Sequence, residues 1–226
     1  MTGYEARRMA MVECQLRPNQ VTDKGLLDAM RTLPRERFVP PAFERLAYMD
    51  EAIEVFPARE GAPARFLLAP MVQARLIQLA EVEAKDKVLD VGCGTGYSAA
   101  ILARLAATVI GLEPEPALAK AAAANLVGLG LRNTEMVEGP FAAGWPAAGP
   151  YDVIVLEGSV SEVPDALLSQ LKEGGRLVAV ITAAPNMQQG KANLFVRVDG
   201  EARGVAHFDA GASPLPGVAP EPAFVF

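Results

Sequence analysis

The sequence predicts an α/β fold built on a mostly parallel, doubly wound sheet, and three features carry that expectation. Short apolar runs of strand length alternate with helical runs between residues 70 and 181, a pattern that buries a parallel sheet beneath helices on both faces. Residues 87–91 pass through Asp90 directly into Gly92-Cys93-Gly94-Thr95-Gly96, and a helix opens near Tyr97. The glycines remove Cβ atoms where the chain bends from strand to helix, so backbone can press against a ligand. Residues 108–113 form a second apolar run ending in Glu113, an acid about 20 residues beyond the glycines, where a carboxylate grips ribose hydroxyls.

In chain order, three helical segments precede this core: residues 5–15, residues 23–32 behind Thr22 as cap, and residues 41–46. Residues 1–69 are expected to form a helical cap and a substrate-side loop. Residues 57–63, with Gly61, read as loop; residues 65–70 then lead into the ligand edge of the sheet, and Pro70 opens a helix running to Leu79. The core, residues 70–181, continues with an alanine-rich helix over 117–129, stopped by Gly128 and Gly130. A third strand at 134–137 leads into Glu138-Gly139-Pro140. A fourth strand at 151–156, a helix at 163–171, and a turn at Gly174-Gly175 before a fifth strand to Ile181 complete the alternation. Residues 182–226 hold a polar loop, an antiparallel hairpin of 194–198 and 202–208 about Asp199-Gly200, and a proline-rich tail from Ser213. The final Phe224-Val225-Phe226 is expected to pack on the body, and all three segments to make one compact domain.

Spacing selects the ligand. A dinucleotide fingerprint needs Gly-x-Gly-x-x-Gly, but here the third glycine comes one residue early and Tyr97 stands in its place. No Gly-Lys-Ser/Thr follows, which excludes a P-loop. S-adenosylmethionine carries no phosphate; its cationic amino group and sulfonium suit Asp90 better than a pyrophosphate does. The expected seat comprises Asp90, Gly92, Cys93, Gly94, Gly96 and Tyr97, with Glu113 and Pro114 toward the ribose and Glu138 and Gly139 toward the adenine amino group. S-adenosyl-L-homocysteine is the corresponding product.

Twenty-seven acidic against 21 basic residues leave a net charge of −6, which disfavours a protein that holds nucleic acid by its phosphates. No apolar run reaches the length of a membrane span and the first residues lack the apolar block of a secretory signal, so a cytoplasmic protein is expected. Cys14 and Cys93 do not suggest a disulfide scaffold, and with His207 as the one imidazole no metal is expected. The sequence carries no signal of oligomeric state.

The cradle from Val88 to Ala100 and the earlier Leu33-Pro34-Arg35-Glu36-Arg37-Phe38-Val39-Pro40 resemble the protein-L-isoaspartate O-methyltransferases. So do Ala47-Tyr48-Met49-Asp50, Tyr151-Asp152-Val153-Ile154 and residues 164–177, and the likeness runs in order over residues 21–181. The resemblance implies a Rossmann-like S-adenosylmethionine-dependent methyltransferase fold. It also implies methyl transfer to the α-carboxylate of an isoaspartyl residue in a damaged protein or peptide, which permits repair through a succinimide. The family's Ile-Ser-x-Pro-like segment, whose serine lies near the transferred methyl, corresponds to Leu67-Leu68-Ala69-Pro70-Met71. Leu68 stands at the serine, so the chain is a divergent member. Leu67, Leu68, Pro70 and Met71 thereby fall on the substrate side, with Glu157 at the end of the fourth strand. A leucine cannot pair a carboxylate, and leaving a buried acceptor unpaired costs on the order of 1–3 kcal/mol. Ser159 and Ser161 are the candidate replacements, and no catalytic residue is assigned.

Methyl transfer is an in-line displacement at a carbon activated by a sulfonium, so the protein mainly aligns donor and acceptor and excludes water. A carboxylate acceptor is ionised near neutral pH and needs no general base. The fourth strand has neither an Asn/Asp-Pro-Pro-aromatic segment nor a Pro-Cys, which disfavours base methylation. Leu68 and Glu157 leave two alternatives open: a methyltransferase with a different acceptor, and a non-catalytic S-adenosylmethionine-binding sensor or assembly protein.

Overall fold

The structure, a computed structural model, describes residues 3–60, 63–184, 187 and 189–218. Helix α1 (Gly3–Met11) continues through a π-helical turn over Val12–Leu16. Helix α2 (Lys24–Thr32) starts one residue later than expected, because Asp23 rather than Thr22 is its cap: the Asp23 carboxylate accepts the Leu26 N–H at 2.7 Å. The Thr22 and Asp23 N–H groups both donate to the Gln78 side-chain oxygen. An anionic oxygen suits the positive end of a helix. After 3-10 turns at Arg35–Phe38 and Pro41–Leu46 come two short antiparallel strands, β1 (Ile53–Phe56) and β2 (Arg65–Leu67). The sequence reading placed loop at 65–67. Three residues are too few for a period of two to stand out.

Helix α3 (Pro70–Leu79) has its proline in the first turn, where the missing N–H needs no partner. The alternating core follows as β3 (Lys87–Val91), α4 (Tyr97–Leu105), β4 (Thr108–Leu112), α5 (Pro116–Gly128), β5 (Thr134–Val137), β6 (Tyr151–Val160), α6 (Asp165–Ser169) and β7 (Leu171–Thr182). The hairpin β8 (Gln189–Val198) and β9 (Glu201–Gly211) closes the sheet. The strand order is β5-β4-β3-β6-β7-β8-β9, with β3 to β7 parallel, β8 antiparallel to β7 and β9 antiparallel to β8. Successive strands turn one way from β3 to β4 and the other way at β6, so a crevice opens at the carboxyl end of β3.

Other boundaries differ from expectation: the first helix is α-helical only to Met11 rather than 15, and β9 runs to Gly211 rather than 208. β6 runs to Val160 rather than 156 and bulges against β7 between Val155 and Ser159, which sets Glu157, Gly158 and Ser159 in an irregular extension at the rim. The helix expected over 163–171 is only α6, and the chain already joins the sheet at Leu171. β8 begins at Gln189, inside the expected polar loop, because its backbone ladders with β7 as far as Thr182. Phe224-Val225-Phe226, expected to pack on the body, lie outside the described residues. Met11, Leu16, Met30 and Phe38 of the N-terminal segment share one buried cluster with Tyr97 and Leu102 of α4, so the cap is fastened to the helix that leaves the glycines.

Candidate functional site

The bend after β3 takes the geometry its glycines permit. Gly92, Gly94 and Gly96 lie at φ of +86°, +55° and +93°, the left-handed region that other residues rarely enter. Gly96 serves packing: a Cβ there would stand 3.0 Å from Ala122 of α5. The Gly94 N–H points at Glu113 Oε2, 3.0 Å away. Asp90 is fully buried and accepts the Ser98 hydroxyl at 2.6 Å, bracing the start of α4. Burial, with Glu157 and Glu113 nearby, holds its carboxyl well above the usual range. Tyr97 faces the cap, edge-on to Phe38 at 5.2 Å and beneath the Arg35 guanidinium. Cys93 is buried, which raises its thiol pKa.

At the β4 end of the rim, Glu113 is fully buried and held by a cation. Arg65 of β2 donates through Nη1 to Glu113 Oε1 at 2.6 Å and through Nη2 to the Gly92 carbonyl at 3.2 Å. Its guanidinium also lies 4.8 Å from the centre of the Phe141 ring. Pro114 lines a cavity of about 390 Å³ bounded also by Phe56, Pro140, Phe141 and Pro216. Glu138 is exposed, while Gly139 packs against Leu112 and Trp145; the neighbouring Pro140 and Phe141 reach that cavity in their place.

The β6 end is built differently. Glu157, also buried, accepts the Gln73 side-chain N–H at 2.8 Å through Oε2, and its Oε1 has no partner among the described residues. Arg35 anchors this corner, donating to the Gln73 Oε1, the Leu68 carbonyl and the Ala47 carbonyl. Burial pushes the Glu157 carboxyl up to about 7, against the opposing pull of Gln73 and Arg35. Leu68 is buried, Pro70 opens α3, and the Met71 N–H donates to Asp50. Leu67 and Glu157 border a void of about 10 Å³ over the glycines. Ser159 does not offer a free hydroxyl, since it donates to the Ala212 carbonyl at 3.0 Å; the Ser161 hydroxyl is unpartnered among the described residues.

The donor set suits S-adenosylmethionine in chemistry: left-handed glycines, an inward N–H at Gly94 and an acid at the end of β4. A ligand of that size occupies a pocket of about 300–1,000 Å³, and the cavity of about 390 Å³ beside Glu113, which Arg65, Pro114 and Phe141 line, falls in that range. The void over the glycines is smaller, about 10 Å³, with Arg65 on the acid and Leu215, arriving after β9, packed over Gly92.

The sequence reading missed Arg65, Gln73, Arg35 and Leu215. Arg65 carried a signal, as the one charge opening the apolar run Arg65-Phe66-Leu67-Leu68 on a segment already directed at the rim. Leu215 carried none.

Residues 6–205 match the model of the family described as protein-L-isoaspartate(D-aspartate) O-methyltransferase. The chain is 40% identical over 174 residues to a protein-L-isoaspartate O-methyltransferase of Methanoculleus marisnigri, covering 77% of this chain and 76% of the relative. It is 38% identical over 200 residues to a protein of Anaeromyxobacter sp. named protein-L-isoaspartate O-methyltransferase 2, covering 88% and 78%. A solved protein-L-isoaspartate O-methyltransferase superposes with a TM-score of 0.78 at 26% identity, over 95% of this chain and 66% of that one.

Proposed function

Because the chain belongs to the protein-L-isoaspartate(D-aspartate) O-methyltransferase family, its reaction class is S-adenosylmethionine-dependent O-methylation, and we propose that it takes the acceptor carboxylate at the β6 end of the rim, on Glu157 instead of a serine. One observation carries this reading: Glu157 is a buried carboxyl with one oxygen fixed by Gln73 and the other unpartnered among the described residues, bordering the void over the glycines. With its pKa raised to about 7, Glu157 keeps its proton below neutral pH and loses it as pH rises through that value. A protonated carboxyl donates a hydrogen bond, which is the capacity Leu68 removes. Once ionised, the same group repels an incoming carboxylate.

S-adenosylmethionine supplies a methyl on a positively charged sulfur. The protein's part is positional. Gln73 orients Glu157, Arg35 holds Gln73 and the Leu68 backbone, and Leu67 and Leu68 keep water from the acceptor side. An isoaspartyl carboxylate needs no base to ionise it. Cytoplasmic residence and absence of nucleic-acid partners belong to the same proposal, supported by two free thiols and the net charge of −6.

The test is transfer of labelled methyl to an isoaspartyl peptide, with the aspartyl peptide as control, from about pH 5.5 to 8.5. A base-labile methyl ester is expected on the isoaspartyl peptide alone, at a rate that falls as pH rises through about 7. Glu157→Gln, which keeps a donor at every pH, should flatten that fall. Donor binding without transfer to either peptide at any pH would remove the isoaspartyl reading and leave a different acceptor.

A further inference from the structure

A separate cavity lies in the trench between α3 and the β8–β9 hairpin. It holds about 380 Å³, within the range that small ligands occupy. Leu79 of α3, Leu194 of β8 and Phe208 of β9, all half-buried, give it an apolar wall. The loop before α2 reaches the same space through Gln20, and Gln78 pins that loop: its side-chain oxygen accepts the Thr22 and Asp23 N–H groups, and its amide donates to the Gln20 carbonyl at 2.9 Å. The cavity is therefore held open by the fold itself.

Two charges of opposite sign border it, and nothing neutralises either. Arg75 is half-buried and lies over the Phe208 ring, 3.8 Å from its centre, with no ion pair or hydrogen bond among the described residues. A guanidinium so close covers the ring with its face, which leaves the N–H fork at its edge free to take a carboxylate through two parallel bonds. The Glu81 carboxylate, one turn past the end of α3, likewise has no partner among the described residues. Glu81 and Gln20 hold left-handed backbones at φ of +48° and +66°, at helix ends where glycine is the usual residue; at both, a long polar side chain stands on this cavity instead.

We propose that this cavity is a second binding site, separate from the methyl-transfer rim, for a free α-amino acid with an apolar side chain. Arg75 takes the carboxylate, Glu81 takes the ammonium, and the side chain lies against Leu79, Leu194 and Phe208. A zwitterion is the ligand class that answers both unpaired charges at once. A simple anion would satisfy Arg75 and be repelled by Glu81, and a simple cation would meet the reverse. None of these residues belongs to the rim, although Gln73, on the same helix as Arg75, orients Glu157.

The one histidine of the chain, His207, borders this cavity, so a single set of imidazole proton signals reports its occupancy. Titration of the full chain with L-leucine should shift those signals saturably, in step with the heat of binding. L-Leucinamide and N-acetyl-L-leucine, each lacking one of the two charges, should bind at least about tenfold more weakly. Arg75→Lys, which keeps the charge and loses the fork, and Glu81→Gln, on an exposed side chain, should each weaken leucine by about tenfold or more. The Glu81 variant and the two analogues carry the test if Arg75→Lys folds poorly. Saturating S-adenosyl-L-homocysteine should leave the leucine affinity unchanged, whether or not the rim holds it. No saturable shift or heat up to the millimolar range would overturn the site. So would either analogue binding as well as leucine, or displacement of leucine by S-adenosyl-L-homocysteine.

Discussion

Two buried carboxyl groups stand at the same edge of one sheet, Glu113 beyond β4 and Glu157 in the extension of β6, and their neighbours give them different chemistry. Glu113 meets a guanidinium at 2.6 Å and the Gly94 N–H at 3.0 Å. Glu157 meets one neutral amide and leaves an oxygen without a described partner. Burial is shared; compensation is not. Glu113 is buried in an ion pair with directed N–H groups beside it, whereas Glu157, bonded to an amide and with Arg35 acting only from a distance, relieves its desolvation by holding a proton. One sheet edge thus carries a charged corner, sealed by Arg65, and a corner that titrates near neutrality.

The largest effect expected from this difference comes from breaking the charged corner. Arg65→Ala should destabilise the protein by about 3–5 kcal/mol in urea unfolding at pH 7, because it strands the Glu113 charge in the interior. The double replacement Arg65→Met with Glu113→Gln should recover most of that loss, since it removes charge and partner together. If the double variant is no more stable than the single one, Glu113 is not the group that Arg65 compensates.

The titrating corner should respond with the opposite sign and less strongly. The Glu157 pKa is raised in the folded state from an ordinary 4.5 to about 7, so between those values the native protein holds a proton that the unfolded chain has lost. Stability therefore falls as pH rises across that window and stays low above it. Glu157→Gln should be neutral near pH 4 and more stable than wild type by about 1–3 kcal/mol at pH 8. Equal stability at pH 8 would show that the carboxyl is compensated after all. An exposed carboxylate supplies the baseline: Asp23→Ala should cost about 1 kcal/mol through loss of the α2 cap, read as a small shift in the urea midpoint.

The same contrast separates what local pattern reveals from what only folding reveals. β3, the glycine bend, β4 and Glu113 follow from residues close together in sequence, and the structure has them where the apolar runs and spacing put them. Asp23 and Thr22 are both competent caps; the Asp23 carboxylate takes the Leu26 N–H, and the N–H groups of both residues are held by Gln78, 56 and 55 positions away. Arg65 reaches Glu113 across 48 positions, Gln73 reaches Glu157 across 84, and the hydroxyl of Ser159 finds Ala212 across 53. No periodicity records such pairs. Ser159 looked like a replacement hydroxyl because its distant partner was invisible, and Leu215 sat unremarked in a proline-rich tail whose destination depends on the bulge in β6.

The claim on which the rest depends is that the glycine rim between β3 and β4 is the donor seat. A crystal structure of the full chain with S-adenosyl-L-homocysteine tests it most directly. The ligand should lie along Gly92–Gly96 with its ribose on Glu113 and Arg65 drawn away from that carboxylate. A ligand bound elsewhere, with Arg65 still on Glu113, would contradict the account.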